Sequence, residues 1–138
     1  GLGALMSSHL VYEAVEAQGL PASLSRAVMT GLARESLGFE GLMMTDALEM
    51  KGLKHAVSEG KAAVMALAAG ADMLMAPTNP RLVKAGLVQA VREGRLDQDR
   101  LDEALGRILR PKQTFRTASE GGLLVEPEKA RLMMQSSY

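Results

Sequence analysis

The stretch GLMMTD, residues 41–46, is a short apolar run that ends in a hydroxyl and a carboxylate. Two further apolar runs occupy residues 4–10 and 71–76, and polar residues accompany the end of each. Their apolar character is nearly continuous rather than alternating, which is typical of strands that are covered on both faces of a parallel sheet. The three runs therefore predict three parallel strands that are adjacent in chain order.

A helical pattern follows each run, and a fourth helical pattern closes the series. The patterns begin at a polar cap residue or a proline, and the first three end at a glycine. The predicted helices run from Ser25 to Gly38, from Ser58 to Ala69 before Gly70, from Pro80 to Gly94, and from Asp97 through Leu109.

Strands that alternate with helices indicate right-handed βαβ units, in which helices connect neighbouring parallel strands. Three strands cannot close a (β/α)₈ barrel, which needs eight strands and about 250 residues. The sequence therefore predicts an α/β fold that is either a small open sheet or the last strands and helices of a TIM-type barrel.

The composition changes after the fourth helical pattern, and we predict three segments from it. Residues 1–110 form the α/β domain, and residues 111–126, which hold charged residues, threonine, serine and a Gly-Gly pair, form a linker. Residues 127–138 begin a following domain or form a frayed helix. The chain opens at Gly1 within an apolar region and without an initiator methionine, from which we expect further sequence upstream.

Charge and composition argue against several classes of function. The 16 lysines and arginines balance the 16 acidic residues and are scattered, so no positive surface suited to nucleic acid is predicted. No apolar run approaches the roughly 20 residues that span a membrane. Cysteine is absent, and no metal-ligand spacing or phosphate-binding loop occurs, so we expect neither a metal nor a cofactor. The cellular compartment stays open.

Polar residues at the carboxyl ends of parallel strands are the candidates for chemistry, because loops gather there. Asp46 is the foremost, since a carboxylate that ends an apolar strand is costly unless it is paired or functional. The alternative is an N-cap or an ion pair with a loop lysine such as Lys51. His9 holds the corresponding position after the first run, although such a histidine is often only a satisfied polar residue. Asp72 lies at the start of the third run, the wrong end for the active site of a barrel, so a structural role in a turn is favoured.

Longer segments of the sequence are more specific than these positions. Four segments resemble glycoside hydrolase family 3 in both order and spacing: ALMSSHLVY (4–12), GLPASLSRAVMTGLARESLGFEGLMMTDALEM (19–50), AGADMLMAPTNP (69–80) and REGRLDQDRLDEALGRIL (92–109). The tail EPEKARLMMQSS (126–137) loosely resembles the start of the family's second domain.

The resemblance implies a (β/α)₈-type barrel in which the nucleophilic aspartate ends a late strand after Ser or Thr. Here that pair is Thr45-Asp46. Many family β-glucosidases have tryptophan after the aspartate, whereas Ala47 follows here, and this is similar to the β-N-acetylhexosaminidase branch. The resemblance also implies substrate-binding positions at His9, Thr45 and Met50. The family's acid/base, an Asp-His pair on a loop, and its Lys-His sugar-binding segment would both lie upstream of this chain.

The resulting hypothesis is a late-barrel fragment of a retaining glycosidase that acts on β-linked N-acetylglucosamine or a β-glucoside. Its rival is a catalytically silent βα fragment that lacks the acid/base and serves only as an assembly module. A Schiff-base aldolase is disfavoured because no lysine ends a strand. An incomplete barrel would expose the inner faces of Met6, Met44 and Met73, so we also expect self-association through the exposed sheet.

Overall fold

The computed structural model describes residues 2–51, 53 and 57–120, with side chains up to residue 115. Three strands and four helices form the framework of this part of the chain, together with a short 3₁₀ turn (Ala22–Leu24) after the first strand. The elements are β1 (Ala4–Ser7), α1 (Ala27–Ser36), β2 (Leu42–Ala47), α2 (Glu59–Ala69), β3 (Met73–Met75), α3 (Pro80–Arg92) and α4 (Gln98–Glu120).

The three strands form one parallel sheet in the order β1-β2-β3, which confirms the predicted topology. Leu5 lies beside Met43 and Met6 beside Met44, so β1 and β2 pair in a regular register. The pairing of β2 with β3 is interrupted once, between Met44 and Ala47. This irregularity lies at the carboxyl end of the sheet.

The two faces of the sheet differ in how far they are covered. On one face Leu5, Met43 and Leu74 pack against apolar residues of α1 and α2, and Met43 is completely buried. On the other face Met6 is 60% exposed, while Met44 and Met73 are partly exposed. Because side chains alternate along a strand, the helices cover one face and leave an open face, as predicted. We use "open face" below for the face that carries Met6, Met44 and Met73.

Local signals in the sequence predicted the helix ends within a few residues. Gly38, Gly70 and Gly94 all adopt positive φ angles directly after α1, α2 and α3, which is where glycine avoids the steric penalty of a Cβ. The side chain of Asn79 accepts a hydrogen bond from the N–H of Leu82 and so caps α3. α1 is wound with π-type hydrogen bonds, which the sequence did not indicate.

The structure corrects one local prediction. Residues 111–120, predicted as part of the linker 111–126, continue α4 to Glu120 in spite of Pro111 within the helix. The linker was predicted from the polar composition of this segment, and the helix continues through Pro111 although proline in a helix costs about 3 kcal/mol. Residues 121–138, and with them the predicted helix 127–138, lie outside the described residues. Whether 111–126 serves as a linker stays a prediction.

The chain divides into two compact units, Gly1–Ile108 and Leu109–Tyr138. The first unit holds the sheet, α1 to α3 and the first part of α4. Among the described residues, no helix combines the length and the apolar character that a membrane span requires.

Candidate functional site

Asp46 lies at the carboxyl end of the central strand β2, as predicted. The side chain of the neighbouring Thr45 is completely buried, whereas Asp46 is partly exposed, as is Met44 on the open face. Oδ1 of Asp46 accepts a hydrogen bond from the backbone N–H of Ala47 at 2.7 Å. The residue is partly exposed, so a ligand can reach the carboxylate. This combination of access and fixed orientation suits a group that attacks a substrate.

The backbone around Asp46 departs from the regular ladder. Between the pairs Met44–Met73 and Ala47–Met75, β2 advances by three residues while β3 advances by two. An extra residue of this kind is a β-bulge, which re-aims the side chains of the strand that contains it. Asp46 lies within the bulge, so its direction depends on local contacts rather than on the sheet ladder alone.

His9 follows the end of β1 by two residues and lies at the same end of the sheet as Asp46. Its Nε2 is 3.0 Å from the backbone oxygen of Ala47, and its Nδ1 is 2.6 Å from Oγ of Ser23. The prediction that His9 and Asp46 occupy corresponding strand ends is confirmed. Both ring nitrogens contact protein atoms, so the ring is held in place between the 3₁₀ turn and the end of β2.

Thr45 and Met50 were the other two predicted substrate-binding residues. Oγ1 of the buried Thr45 accepts a hydrogen bond from the N–H of Met75 at 3.2 Å, so it joins β2 to β3 where the bulge interrupts the ladder. Met50 is 44% exposed in the loop after β2, and its N–H bonds to the backbone oxygen of Ala47 at 3.1 Å. Thr45 therefore supports the strand end, whereas Met50 offers an accessible apolar side chain beside it.

The end of β3 completes this side of the sheet. Ala76 has a φ of 38°, in the left-handed region that costs a residue with a Cβ roughly 1 kcal/mol or more. The following loop is held by Glu59 at the start of α2, whose carboxylate accepts the N–H groups of Thr78 and Asn79 at 2.6 and 3.2 Å. The polar segment 77–79, which follows the third apolar run, therefore lies at the same end of the sheet as Asp46, but its N–H groups bond to a side chain of α2.

Glu16 is a buried carboxylate that the sequence gave no reason to select. It accepts hydrogen bonds from the hydroxyl of Ser25 and from the N–H of Gln18, and these two bonds hold its pKa below the usual value. A general acid must be protonated near neutral pH, so a carboxylate with a lowered pKa is poorly suited to that role. Glu16 instead fastens the loop after β1 to the start of α1.

Asp72 confirms its predicted structural role at the opposite end of the sheet. Its carboxylate is fully buried and pairs with Arg34 at 2.7 Å, Arg100 at 2.8 Å and Arg107 at 3.2 Å. Oδ2 also accepts the N–H of Met43 at 2.9 Å. Arg100 lies in a segment of alternating charge, residues 92–100, whose sequence is typical of a solvated surface, but its side chain also bonds to the backbone oxygens of Leu67 and Ala71. The cluster joins α1, β2, β3 and α4 away from the candidate site.

A metal centre has no basis in the part of the chain that the structure describes. No three histidine, cysteine, aspartate or glutamate side chains gather there in an arrangement that could hold a metal ion. The polar groups that the described residues bring to the carboxyl end of the sheet are a carboxylate, an imidazole, hydroxyls and backbone groups.

Comparison with known proteins relates this arrangement to glycosidases. The sequence profile described as the Glycosyl hydrolase family 3 N terminal domain matches residues 1–111. A Beta-hexosaminidase of Chromobacterium violaceum is 39% identical over 87 residues, which cover 63% of this chain and 24% of that protein.

Solved structures show the same similarity. The chain superimposes on a glycoside hydrolase family 3 beta-N-acetylglucosaminidase from Paenibacillus with a TM-score of 0.79 and 38% identity, covering 82% of this chain and 22% of that one. It superimposes on the Beta-glucoside phosphorylase BglX with a TM-score of 0.78 and 33% identity, covering 86% and 23%. The chain thus spans about a quarter of the length of these proteins.

Proposed function

The chain belongs to glycoside hydrolase family 3, and we propose that it supplies the nucleophile of a retaining glycosidase. In this proposal Asp46 attacks the anomeric carbon of a β-linked N-acetylglucosamine or a β-glucoside. The supporting relatives are named as a beta-hexosaminidase and a beta-N-acetylglucosaminidase. Those names belong to proteins about four times longer, so the activity is proposed for the whole enzyme of which this segment is a part.

The observation that carries the proposal is the placement of Asp46. A partly exposed carboxylate lies near the carboxyl end of the central strand, at the end of the sheet where parallel α/β folds place their active sites. Its orientation is fixed by the N–H of Ala47. This matches the requirement for a nucleophile, which must be held in place yet be accessible to the substrate.

The reaction takes place in two steps. Asp46 forms an ester bond with the anomeric carbon while the bond to the leaving oxygen breaks, and an acid protonates that oxygen. Water then attacks the same carbon, loses its proton to the residue that served as the acid, and releases Asp46. The two carboxyl or equivalent groups of a retaining enzyme lie about 5 Å apart. We propose that the acid/base comes from sequence outside this chain.

The same proposal treats the three βα units as the last units of an eight-stranded barrel. The open face would then be the barrel interior, and Met6, Met44 and Met73 would be covered by the remaining strands. His9 and Met50 would border the sugar, and Thr45 would support the strand that presents Asp46. The rival proposal is that the chain alone is a silent assembly module.

Activity with two substrates separates these possibilities. We expect the complete enzyme to hydrolyse both dinitrophenyl β-N-acetylglucosaminide and an unactivated disaccharide. We expect the isolated chain to hydrolyse neither, because it lacks the acid, worth about 10²–10⁴-fold, and most of the sugar pocket. Dinitrophenolate leaves without protonation, so this substrate reports positioning alone. The measurement is the initial rate of dinitrophenolate or monosaccharide release.

Each contrary result changes a specific part of the proposal. If the isolated chain cleaves the disaccharide, it must contain an acid, and the hypothesis that the chain alone is catalytically silent is wrong. If the complete enzyme cleaves the dinitrophenyl β-glucoside but not the dinitrophenyl β-N-acetylglucosaminide, the assignment to N-acetylglucosamine is wrong. If turnover requires phosphate and yields a sugar 1-phosphate, the acceptor is phosphate rather than water, as the name of the phosphorylase relative would suggest.

Self-association of the isolated chain is a further expected result. Met6 is 60% exposed on β1, which is an edge strand among the described residues, and Met75 on the opposite edge strand is 36% exposed. Exposed apolar sheet edges promote pairing between chains. We expect sedimentation velocity to show concentration-dependent oligomers that Met6→Lys reduces. Leu82→Lys, at an equally exposed site on α3, is the matched control and should change little. A chain that stays monomeric at high concentration would contradict this expectation.

A further inference from the structure

We propose that Ser23 is a positioning residue for Asp46 and that it acts through the imidazole of His9. The inference rests on the proposed role of Asp46 as the nucleophile, but it assigns a function to a residue that does not contact the substrate.

Ser23 is completely buried in the 3₁₀ turn before α1, and its Oγ is 2.6 Å from Nδ1 of His9. The turn is docked on the segment after β1, because the N–H of Ser23 bonds to the oxygen of Ser8 at 3.1 Å and the N–H of Ala22 to the oxygen of Leu10 at 2.8 Å. A buried hydroxyl without a partner costs about 1–3 kcal/mol. The hydroxyl is therefore committed to the imidazole.

The two contacts of His9 determine its tautomer and its orientation. The oxygen of Ala47 can only accept a hydrogen bond, so Nε2 of His9 must carry a proton. In the neutral ring Nδ1 is then the acceptor, and the hydroxyl of Ser23 donates to it. Ala47 thus sets the tautomer, and Ser23 holds the plane of the ring in which Nε2 reaches the oxygen of Ala47.

The peptide unit that joins Ala47 to Leu48 is held from both neighbouring strands. Its oxygen accepts hydrogen bonds from Nε2 of His9 at 3.0 Å and from the N–H of Met50 at 3.1 Å. Its N–H donates to the oxygen of Met75 at 2.9 Å. His9 is therefore the contact through which the β1 side of the sheet holds this peptide.

The position of Ala47 in turn sets the position of Asp46, because the N–H of Ala47 bonds to the attacking carboxylate. The ladder between β2 and β3 is interrupted just here, so it does not fix the strand end by itself. The chain of contacts Ser23–His9–Ala47–Asp46 supplies that constraint. Loss of the first contact should leave the fold intact and shift the carboxylate, and a displacement of about 1 Å can lower a rate about 100-fold.

Steady-state kinetics of the complete enzyme test this inference. We expect Ser23→Ala to lower kcat by about 10- to 100-fold and to leave KM nearly unchanged, because the nucleophile is misplaced while the sugar contacts remain. The amide nitrogen of glutamine reaches as far as Nε2, whereas that of asparagine reaches only as far as Nδ1. His9→Gln should therefore keep the bond to Ala47 but lose the contact with Ser23, so it should lower kcat about as much as Ser23→Ala does. His9→Asn, which loses the bond to Ala47 itself, should lower kcat further.

A double variant distinguishes positioning from a general effect on stability. In the His9→Gln background, which lacks the Nδ1 partner, Ser23→Ala should cause no further loss of kcat. Thr30→Val is the matched control, because the Thr30 hydroxyl donates to the oxygen of Ala69 at 2.7 Å at the opposite end of the sheet. This variant should leave kcat unchanged.

A readout that does not depend on activity is the ¹⁵N spectrum of the imidazoles. The signals that disappear in His9→Gln are those of His9, which assigns them among the other histidines of the complete enzyme. We expect the neutral ring of His9 in the wild type to be the Nε2–H tautomer with an Nδ1 acceptor, and Ser23→Ala to shift the Nδ1 signal because that nitrogen loses its hydrogen-bond donor.

Several outcomes would overturn the inference. If Ser23→Ala leaves both kcat and the His9 spectrum unchanged, Ser23 has no positioning role. If Ser23→Ala lowers kcat equally in the wild type and in His9→Gln, the role of Ser23 is purely structural. A raised KM with normal kcat would show that His9 contacts the sugar instead. Absence of a covalent sugar adduct on Asp46 in the wild type would overturn the proposed function, and the positioning role with it, whatever tautomer the spectrum shows.

Discussion

Asp46→Ala in the complete enzyme is expected to reduce kcat for an N-acetylglucosaminide by about 10⁴- to 10⁶-fold, the scale seen when a covalent nucleophile is removed. No covalent intermediate can form without the carboxylate, and alanine also gives up the contact with the N–H of Ala47. Asp46→Asn retains the shape of the side chain but not the charge, so it should show a similar loss. The measurement is kcat/KM together with mass spectrometry of the trapped intermediate.

Azide provides a sharper test of the same role. In Asp46→Ala, azide can enter the space left by the carboxylate and attack the anomeric carbon of dinitrophenyl β-N-acetylglucosaminide while dinitrophenolate leaves. The product should be the α-glycosyl azide, because attack comes from the face opposite the leaving group. A β-glycosyl azide would mean that Asp46 is the acid/base rather than the nucleophile.

Glu49 supplies the matched control for this experiment. It is a second carboxylate three residues further along the chain, and it is exposed in the loop after β2. Glu49→Gln should change kcat by only a few-fold. If Glu49→Gln were as inactive as Asp46→Ala, the assignment of the nucleophile to Asp46 would be wrong.

Asp72→Ala is expected to lower the free energy of unfolding by about 3–5 kcal/mol, the usual cost of removing one partner from a buried ion pair. The carboxylate is fully buried, and the side chains of Arg34, Arg100 and Arg107 are only 12–20% exposed. Without Asp72 these three like charges would remain together, largely removed from water. Asp72→Asn keeps the shape and an oxygen acceptor for the N–H of Met43, so it isolates the contribution of the charge.

The pKa values of the arginines indicate how tightly the cluster is coupled. Burial lowers the pKa of Arg34, Asp72 opposes that shift, and the charges of Arg107 and Arg100 add to it. Burial also acts to lower the pKa of Arg107, but hydrogen bonds and charge from Glu103 and Asp72 outweigh it and raise the pKa. The carboxylates of Asp72 and Glu103 therefore offset the repulsion among the three arginines.

Urea unfolding followed by circular dichroism would measure the stability change. Glu93→Ala is the matched control, because Glu93 and Arg95 form an ion pair whose side chains are 43% and 53% exposed. An exposed pair contributes about 0–1 kcal/mol. Equal unfolding midpoints for Asp72→Ala and Glu93→Ala would contradict a supporting role for the cluster. Neither change should alter the relative rates of different substrates.

Much of the fold followed from short segments of sequence. The apolar runs predicted the three parallel strands, and glycines at 38, 70 and 94 predicted where helices end, because backbone conformation and strand burial leave local signatures. The end of α4 was predicted wrongly because the polar composition after residue 110 is typical of a linker, whereas the helix continues to Glu120. The sequence also placed Asp46 at a strand end, which required only the boundary of one apolar run.

The sequence by itself determined the order of the elements and the end of the sheet where polar groups gather, and it singled out Asp46, which we propose as the nucleophile. Only the tertiary structure decided which partners each polar group has. His9 meets Ser23 and Ala47, which are 14 and 38 residues away, and Asp72 meets Arg100 and Arg107, which are 28 and 35 residues away. Such contacts depend on how separate elements pack, and a charged side chain looks the same in sequence whether it faces solvent or bonds to a buried carboxylate. The partners could therefore be identified only once the strands and helices were in place.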